Sequence, residues 1–161
     1  MISYGKQTLD QSDIDEIVKV LRGDWLSSGP AVKVFEDDLC NYFGADFGCV
    51  VSSGTAALHL TGMALNWQEE DIVITSPLTF LATANSIVYS KAIPSFVDIN
   101  PRTYTLDLNK VEEKISYYRK KRKNIKAIIG IDFAGHPCDW KGLRYLADKY
   151  DLSLVNDNCH A

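Results

Sequence analysis

The sequence lacks a long apolar run, an excess of positive charge and a leader-like N-terminus, and each absence excludes a class of protein. No apolar stretch approaches the roughly 20 residues needed to span a bilayer. The net charge of −4 offers no electrostatic attraction for nucleic acid or for an anionic membrane surface. The first seven residues lack the apolar core of a signal peptide. We therefore expect a soluble, cytoplasmic protein with neither nucleic-acid nor membrane partners.

Cysteine is also scarce, and its four copies are widely spaced. Cys40, Cys49, Cys138 and Cys159 show no C-x-x-C spacing, which is the pattern typical of metal and redox sites. All four lie in or beside apolar segments, where a thiol behaves as a small apolar side chain. We predict buried free thiols and no metal site.

What the sequence does contain is a regular alternation of apolar strands and amphipathic helices. Helices are predicted over 10–23, 31–43, 54–65, 80–90, 108–122 and 139–150, and strands over 47–51, 71–75, 93–97, 126–131 and 152–155. The strands are continuous apolar runs rather than alternating patterns, so helices must cover both faces of the sheet. The pattern predicts an α/β domain with a mostly parallel sheet.

The turn Ser52-Ser53-Gly54-Thr55, between a predicted strand and a predicted helix, has the composition of a phosphate site. A helix that begins there offers unpaired backbone N–H groups, hydroxyls and the positive end of its dipole. The alternative interpretation is an ordinary N-cap, because serine and threonine are preferred at that position in any helix.

Polar residues follow each predicted strand, and the carboxyl ends of parallel strands meet at the edge where ligands bind. They lie within 52–55, within 76–80 with Thr83 and Asn85, at Asp98, within 132–136 and within 156–160. Each also has a structural interpretation: Asp157 as a cap, Phe80 as a core residue and His160 as a structural histidine. Their recurrence after every strand favours a functional site at one edge of the sheet.

Several motifs, in this order and spacing, resemble the DegT/StrS-type sugar aminotransferases, which are pyridoxal-phosphate (PLP) enzymes. They are residues 4–13, Trp25-Leu26-Ser27-Ser28-Gly29-Pro30, Phe35-Glu36, residues 52–58, Thr79-Phe80-x-Ala82-Thr83-x-Asn85 and Asp157-x-x-His160-Ala161. The resemblance covers the chain from end to end. It implies the large domain of the aspartate-aminotransferase fold (PLP fold type I), incomplete at its C-terminus.

The resemblance also implies roles for particular residues. Gly54 and Thr55 would hold the PLP phosphate, Phe80 would stack on the pyridine ring, and Asp157 would pair with the pyridine nitrogen. A carboxylate at that nitrogen keeps it protonated, so the ring remains an electron sink. His160 would lie beside the phenolic oxygen. Positions that match the nucleotide-sugar side in similar members are Tyr4, Asp24, Trp25, Leu26, Ser27 and Gly54.

A narrower resemblance is to the pseudaminic-acid branch, which aminates a UDP-linked 4-keto-6-deoxy sugar for polysaccharide biosynthesis. That branch shares the form Asp132-Phe133-Ala134-Gly135, where most of the family has His-x-aromatic-Gly. Asn156 departs from the usual glutamate, and the pair Asn158-Cys159 departs from the usual small residues.

The resemblance implies a homodimer, and a Schiff-base lysine downstream of the Asp157-x-x-His160 motif that does not occur within the 161 residues. We therefore expect an N-terminal fragment, inactive and poorly stable alone, with a helical segment and substrate loop over 1–45 and the first part of the PLP-binding domain over 46–161. The full-length protein would transfer an amino group from glutamate to the nucleotide sugar. Two alternatives remain: a PLP-dependent sugar dehydratase, which has histidine instead of the lysine, or a non-catalytic remnant.

Overall fold

The computed structural model describes residues 6–161, which divide into two units between Val50 and Val51. Each unit is described on its own. Among the described residues, no helix combines the length and the apolar character needed to cross a membrane.

The first unit contains two helices, α1 (Gln11–Leu21) and α2 (Pro30–Phe43). Asp10 caps α1 by accepting hydrogen bonds from the backbone of Ser12 and Asp13, and the Asp13 side chain accepts in return from the backbone of Asp10. Proline is favourable at the start of α2, and Gly44 ends that helix in the left-handed conformation, with φ of 64°. Neither helix contains a fully buried residue.

The second unit is an α/β domain built on a four-stranded parallel sheet. Its strands are β1 (Ile72–Thr75), β2 (Ile93–Phe96), β3 (Ile125–Ile131) and β4 (Ser153–Asp157), arranged in the order β2-β1-β3-β4. Its helices are α3 (Gly54–Ala64), α4 (Leu81–Tyr89), α5 (Leu108–Lys120) and α6 (Trp140–Tyr150), with a short 3₁₀ helix over Phe133–Gly135. The predicted fold class is confirmed.

Apolar side chains cover both faces of this sheet, as the continuous apolar strands predict. On one face, Ile72 and Ile74 of β1 pack with Val111 and Ile115 of α5. On the other face, Val73 of β1 belongs to a second cluster, which includes residues of α4, β3 and β4. Alternate residues of one strand therefore belong to two hydrophobic cores, one on each face of the sheet. The helices packed on both faces hold the strands in place, and the polar residues lie at the ends of these strands.

The predicted strand over 47–51 is wrong. The backbone there is irregular, and Phe47 is 93 % exposed. A strand forms only where a neighbour accepts and donates its ladder hydrogen bonds, and within the described residues no strand pairs with this segment. The Val50 N–H instead donates to Glu36 Oε1 at 3.0 Å. The remaining predicted strands and helices are present within a few residues of the predicted bounds.

The prediction of four buried thiols is also mostly wrong. All four cysteines are free, but only Cys138 is buried; Cys40 is partly buried, and Cys49 and Cys159 are exposed. Cys49 lies in the irregular segment that lacks a strand partner, and Cys159 lies in the turn that follows β4. An apolar neighbourhood in the sequence buries a thiol only where that segment is packed on both sides.

Candidate active site

A cavity of about 190 Å³ lies at the carboxyl ends of β3 and β4. Its walls come from the starts of α3 and α4, the turn after β3 and the turn after β4. They are formed by Gly54, Thr55, Leu58, Thr79, Phe80, Ala82, Ile131, Asp132, Phe133, Asp157, Cys159 and His160. This is the edge at which parallel α/β sheets bind ligands.

The N-terminus of α3 forms one wall. Ser53 is the N-cap, and its hydroxyl accepts a hydrogen bond from the Ala56 N–H at 3.2 Å. The N-cap interpretation of this turn is therefore correct for Ser53. Gly54 and Thr55, the first two residues of the helix, line the cavity. First-turn N–H groups have no partner within their own helix, so this wall offers donors to an anion.

A buried carboxylate lies at the end of β4. Asp157 is 7 % exposed and does not act as a helix cap. Its Oδ2 accepts a hydrogen bond from Thr83 Oγ1 at 2.6 Å, and Thr83 Oγ1 lies 2.7 Å from Thr79 Oγ1. A short hydroxyl–carboxylate bond of this kind holds the carboxylate in one orientation at the cavity wall.

Phe80 precedes α4 as its N-cap and is 72 % exposed, although it is large and apolar. It is therefore not a core residue, which was the structural alternative. Its ring lines the cavity that Asp157 also lines. An exposed aromatic face beside a buried carboxylate suits a flat heterocyclic ligand.

His160 lies opposite the turn that follows β3. Its Nδ1 accepts a hydrogen bond from the Ala134 N–H at 3.4 Å, and its ring meets that of Phe133 edge to face, with centroids 6.2 Å apart. Gly135 has φ of 83°, and a Cβ there would lie 3.0 Å from the His160 carbonyl oxygen. Glycine allows both this backbone conformation and this close approach.

The turn after β3 is held by a second buried carboxylate, Asp132. Its Oδ1 accepts from the Cys138 N–H at 2.9 Å and from Trp140 Nε1 at 3.0 Å. Its Oδ2 accepts from Asn156 Nδ2 at 3.3 Å, which connects the ends of β3 and β4. Asp132 and Asn156, two positions at which this sequence differs from the usual family pattern, are thus direct partners.

Cys159 forms part of the floor beside Asp157. Desolvation, together with a hydrogen bond to Asp157 and its negative charge, raises the pKa of the Cys159 thiol to about 11. A Cβ on Gly54 would lie 2.8 Å from Cys159 Sγ, closer than side-chain carbon atoms approach sulfur. Glycine at position 54 therefore keeps the start of α3 close to the end of β4.

The structure brings together five of the predicted site residues: Gly54, Thr55, Phe80, Asp157 and His160 all line the cavity. Tyr4 lies outside the described residues. The predicted substrate residues Asp24, Trp25, Leu26 and Ser27 form an exposed loop of the first unit, and their role stays a prediction. Asp98 and His136, which also follow strands, do not line this cavity.

Sequence reasoning did not identify the partners of the two carboxylates. The sequence indicates Thr83 and Asn156 only as polar residues near strand ends and as members of, or departures from, family motifs, with no indication of their partners. A signal for Thr83 was available, since Thr79 and Thr83 are four residues apart at a helix start, which places their side chains together. Contacts across 74 residues, such as that of Thr83 with Asp157, leave no such local trace.

The donor set determines which chemistry this cavity supports. An anionic group fits the α3 N-terminus, a ring fits the exposed face of Phe80, and a ring N–H fits the Asp157 carboxylate. Within the described residues, no lysine or arginine lines the cavity. The wall around Gly54 and Thr55 therefore offers an anion helix N–H groups and hydroxyls rather than basic side chains.

Comparison with known sequences places these features in a family. The sequence profile of the DegT/DnrJ/EryC1/StrS aminotransferase family matches residues 7–161. Among curated proteins, the chain is 41 % identical over 161 residues to the UDP-4-amino-4,6-dideoxy-N-acetyl-beta-L-altrosamine transaminase of Campylobacter jejuni. That alignment covers 100 % of this chain and 42 % of the relative. The chain thus spans about two fifths of the length of that relative.

Solved structures of aminotransferases share the fold. Helicobacter pylori PseC, an aminotransferase involved in the biosynthesis of pseudoaminic acid, superimposes with a TM-score of 0.85 at 29 % identity, over 99 % of this chain and 42 % of that protein. NtdA of Bacillus subtilis, solved with bound cofactor PMP, gives a TM-score of 0.81 at 32 % identity, over 91 % of this chain and 32 % of that protein.

Proposed function

We propose, from the premise that this chain belongs to the DegT/DnrJ/EryC1/StrS aminotransferase family, that it forms part of a PLP-dependent sugar aminotransferase. The full-length protein would transfer an amino group, with glutamate as donor, to a nucleotide-linked 4-keto-6-deoxy sugar. The proposal concerns the full-length protein, since the chain covers about two fifths of its curated relatives.

The observation that carries the proposal is the buried Asp157 carboxylate beside the exposed Phe80 ring. Asp157 is held by Thr83 and lines the same cavity as Phe80. A carboxylate in this position pairs with the protonated nitrogen of a pyridine ring, and the aromatic side chain stacks on the face of that ring. When bound, PLP supplies an electron-withdrawing ring that carries the amino group between donor and acceptor.

The other lining residues fit the remaining groups of the cofactor. Gly54 and Thr55 at the α3 N-terminus would bind the phosphate, and His160 would lie beside the phenolic oxygen. The Ala134 N–H bond and the Phe133 ring contact orient His160 for this role. A relative of known structure that contains PMP, the amine form of the cofactor, supports the assignment.

The sugar substrate is proposed from the named relatives together with the branch motif Asp132-Phe133-Ala134-Gly135. A transaminase of UDP-4-amino-4,6-dideoxy-N-acetyl-beta-L-altrosamine and an aminotransferase of pseudoaminic-acid biosynthesis are both similar to this chain. We propose the corresponding UDP-linked 4-keto sugar as acceptor, with Tyr4, Gly54 and the loop over 24–27 on the sugar side.

We further propose a cytoplasmic homodimer, in which residues 1–45 form the helical and substrate-loop segment and residues 46–161 begin the cofactor domain. The four unpaired thiols accord with a reducing compartment. Apolar side chains left exposed on α1 and α2, among them Ile17 and Phe35, accord with coverage in a larger assembly.

The direct test is an assay of the full-length protein with PLP, glutamate and the UDP-4-keto-6-deoxy sugar. The expected product is the 4-amino sugar, formed together with 2-oxoglutarate and detected by mass spectrometry. A dehydrated sugar without nitrogen would contradict transamination and support the dehydratase alternative. Conversion of other keto sugars but not of this one would contradict the proposed acceptor.

A further inference from the structure

Thr83 is a buried hydroxyl that contacts the proposed ring-pairing carboxylate. It is the third residue of α4 and has no exposed surface. Its Oγ1 donates to Asp157 Oδ2 at 2.6 Å. The other group hydrogen-bonded to the Asp157 carboxylate in the described part of the chain is the Cys159 thiol, which is a weak donor. Thr83 is therefore the strong donor that orients Asp157.

The direction of this hydrogen bond determines the direction of a second one, between Thr79 and Thr83. A hydroxyl carries a single proton, and Thr83 gives its proton to Asp157. The 2.7 Å contact between Thr79 Oγ1 and Thr83 Oγ1 must therefore have Thr79 as donor. Because Thr79 lines the cavity, a chain of two hydroxyls runs from the cavity wall to the buried carboxylate.

We infer that Thr83 is a positioning residue that makes the cavity selective for a ring with an N–H group. The inference rests on the proposed function, in which Asp157 pairs with the pyridine nitrogen. Thr83 holds Oδ2 before any ligand enters, so pairing with a ring N–H requires little further ordering of the carboxylate. Without this donor, the Asp157 carboxylate is no longer held in one plane. The affinity for a ring with N–H then exceeds the affinity for a ring with C–H by a smaller factor.

The test compares two ligands on the full-length protein by calorimetry: PMP, and its deaza analogue in which C–H replaces the ring nitrogen. PMP is chosen because it has no aldehyde to react with surface lysines. The unsubstituted protein is expected to bind PMP about 30-fold more tightly than the analogue, as for loss of a hydrogen bond to a charged group. Thr83→Val should reduce that preference to about threefold, and Thr83→Ser should retain it.

Thr75→Val is the matched control. Thr75 is also fully buried, and its Oγ1 donates to the Ile129 carbonyl at 3.2 Å rather than to either carboxylate. The same substitution there should lower stability and leave the preference for PMP unchanged. Thr79→Val provides a second variant at a less buried position, with an expected twofold loss of preference.

The outcomes separate the two proposals. If the folded Thr83→Val variant binds both ligands more weakly by the same factor, Thr83 has only a structural role and the inference is overturned. An unchanged preference in folded Thr79→Val and Thr83→Val would also overturn it. If the unsubstituted protein binds both ligands alike, or does not bind PMP, the proposed pairing of Asp157 with the ring nitrogen fails first.

Discussion

The ends of β3 and β4 each carry a buried carboxylate, and the two differ in what surrounds them. Asp132, at 5 % exposure, accepts three N–H groups from Cys138, Trp140 and Asn156. Asp157, at 7 % exposure, receives hydrogen bonds on its carboxylate from the Thr83 hydroxyl and the Cys159 thiol, and none of the described residues donates an N–H to that carboxylate. Equal burial therefore does not mean an equal role.

The difference indicates that the two carboxylates at this sheet edge have different roles. A buried carboxylate needs hydrogen bonds to offset its lost hydration. Asp132 obtains them from the protein and holds the turn that contacts His160. Asp157 retains capacity for a donor from a ligand, which is the arrangement expected of a residue that pairs with a ring nitrogen. The same substitution should therefore act mainly on stability at Asp132 and mainly on ligand binding at Asp157.

The largest expected effect is on stability, from Asp132→Asn. An amide at this position must direct its own N–H₂ group toward protein N–H donors, so a buried group is left unsatisfied. We expect the free energy of unfolding to fall by about 3 kcal/mol, measured by urea denaturation. The same change at Asp157 should lower it by less than about 1 kcal/mol, because the amide oxygen still accepts from Thr83. Equal losses of unfolding free energy at both positions would contradict the proposed difference between the two carboxylates.

Asp157→Asn should instead reduce ligand affinity. We expect PMP to bind about 30-fold more weakly, because the charged acceptor for the ring N–H is lost. Titration calorimetry measures this, with Asp148→Asn as control, since Asp148 is an exposed residue of α6 paired with Arg144. A loss of similar size in the Asp148 variant would contradict a specific effect at the cavity.

Gly54→Ala tests the contact between α3 and the turn after β4. The new Cβ would meet Cys159 Sγ at 2.8 Å, and we expect a loss of about 1 kcal/mol in unfolding free energy. In the Cys159→Ala background the same change should be close to neutral. This double-mutant cycle reports the coupling directly, and additive losses would show that the two residues do not meet.

The last prediction, which bears least directly on the comparison of the two carboxylates, concerns the Cys159 thiol. Because its pKa is raised to about 11, the thiol stays protonated at about pH 8 in the folded chain, and only the thiolate reacts. Alkylation of Cys159 should be slow there and accelerate about tenfold per pH unit up to the raised pKa. Peptide mapping measures the rate, and labelling in urea is the reference. Rates that do not differ between folded and unfolded chain would contradict the raised pKa.

The sequence was sufficient to predict the fold and the cavity wall, because both follow from local patterns. Continuous apolar strands such as 71–75 predict the covered parallel sheet, and polar residues after strands predict the edge that carries Asp157. The segment 47–51 was mispredicted, because an apolar run does not reveal whether a pairing partner is present. The apolar segments beside Cys49 and Cys159 predicted the wrong burial for a similar reason.

The hydrogen bonds that distinguish the two carboxylates were beyond sequence reasoning. Asp132 follows the last residue of β3 and Asp157 is the last residue of β4, so both lie at the same edge of the sheet, and no local sequence pattern separates them. The difference arises from Thr83 on α4 and from Trp140 on α6, which are brought to the sheet edge by tertiary packing. Such partners become visible only when the register of the strands and the positions of the helices are known.

The measurement that tests the central claim most directly is the nitrogen NMR shift of ring-labelled PMP bound to the full-length protein. If Asp157 pairs with the ring, the bound nitrogen keeps its proton at pH values where that of free PMP has lost it, and Asp157→Asn abolishes this difference. A bound nitrogen that titrates as in free PMP, or a protonated nitrogen that is insensitive to Asp157→Asn, would contradict the account.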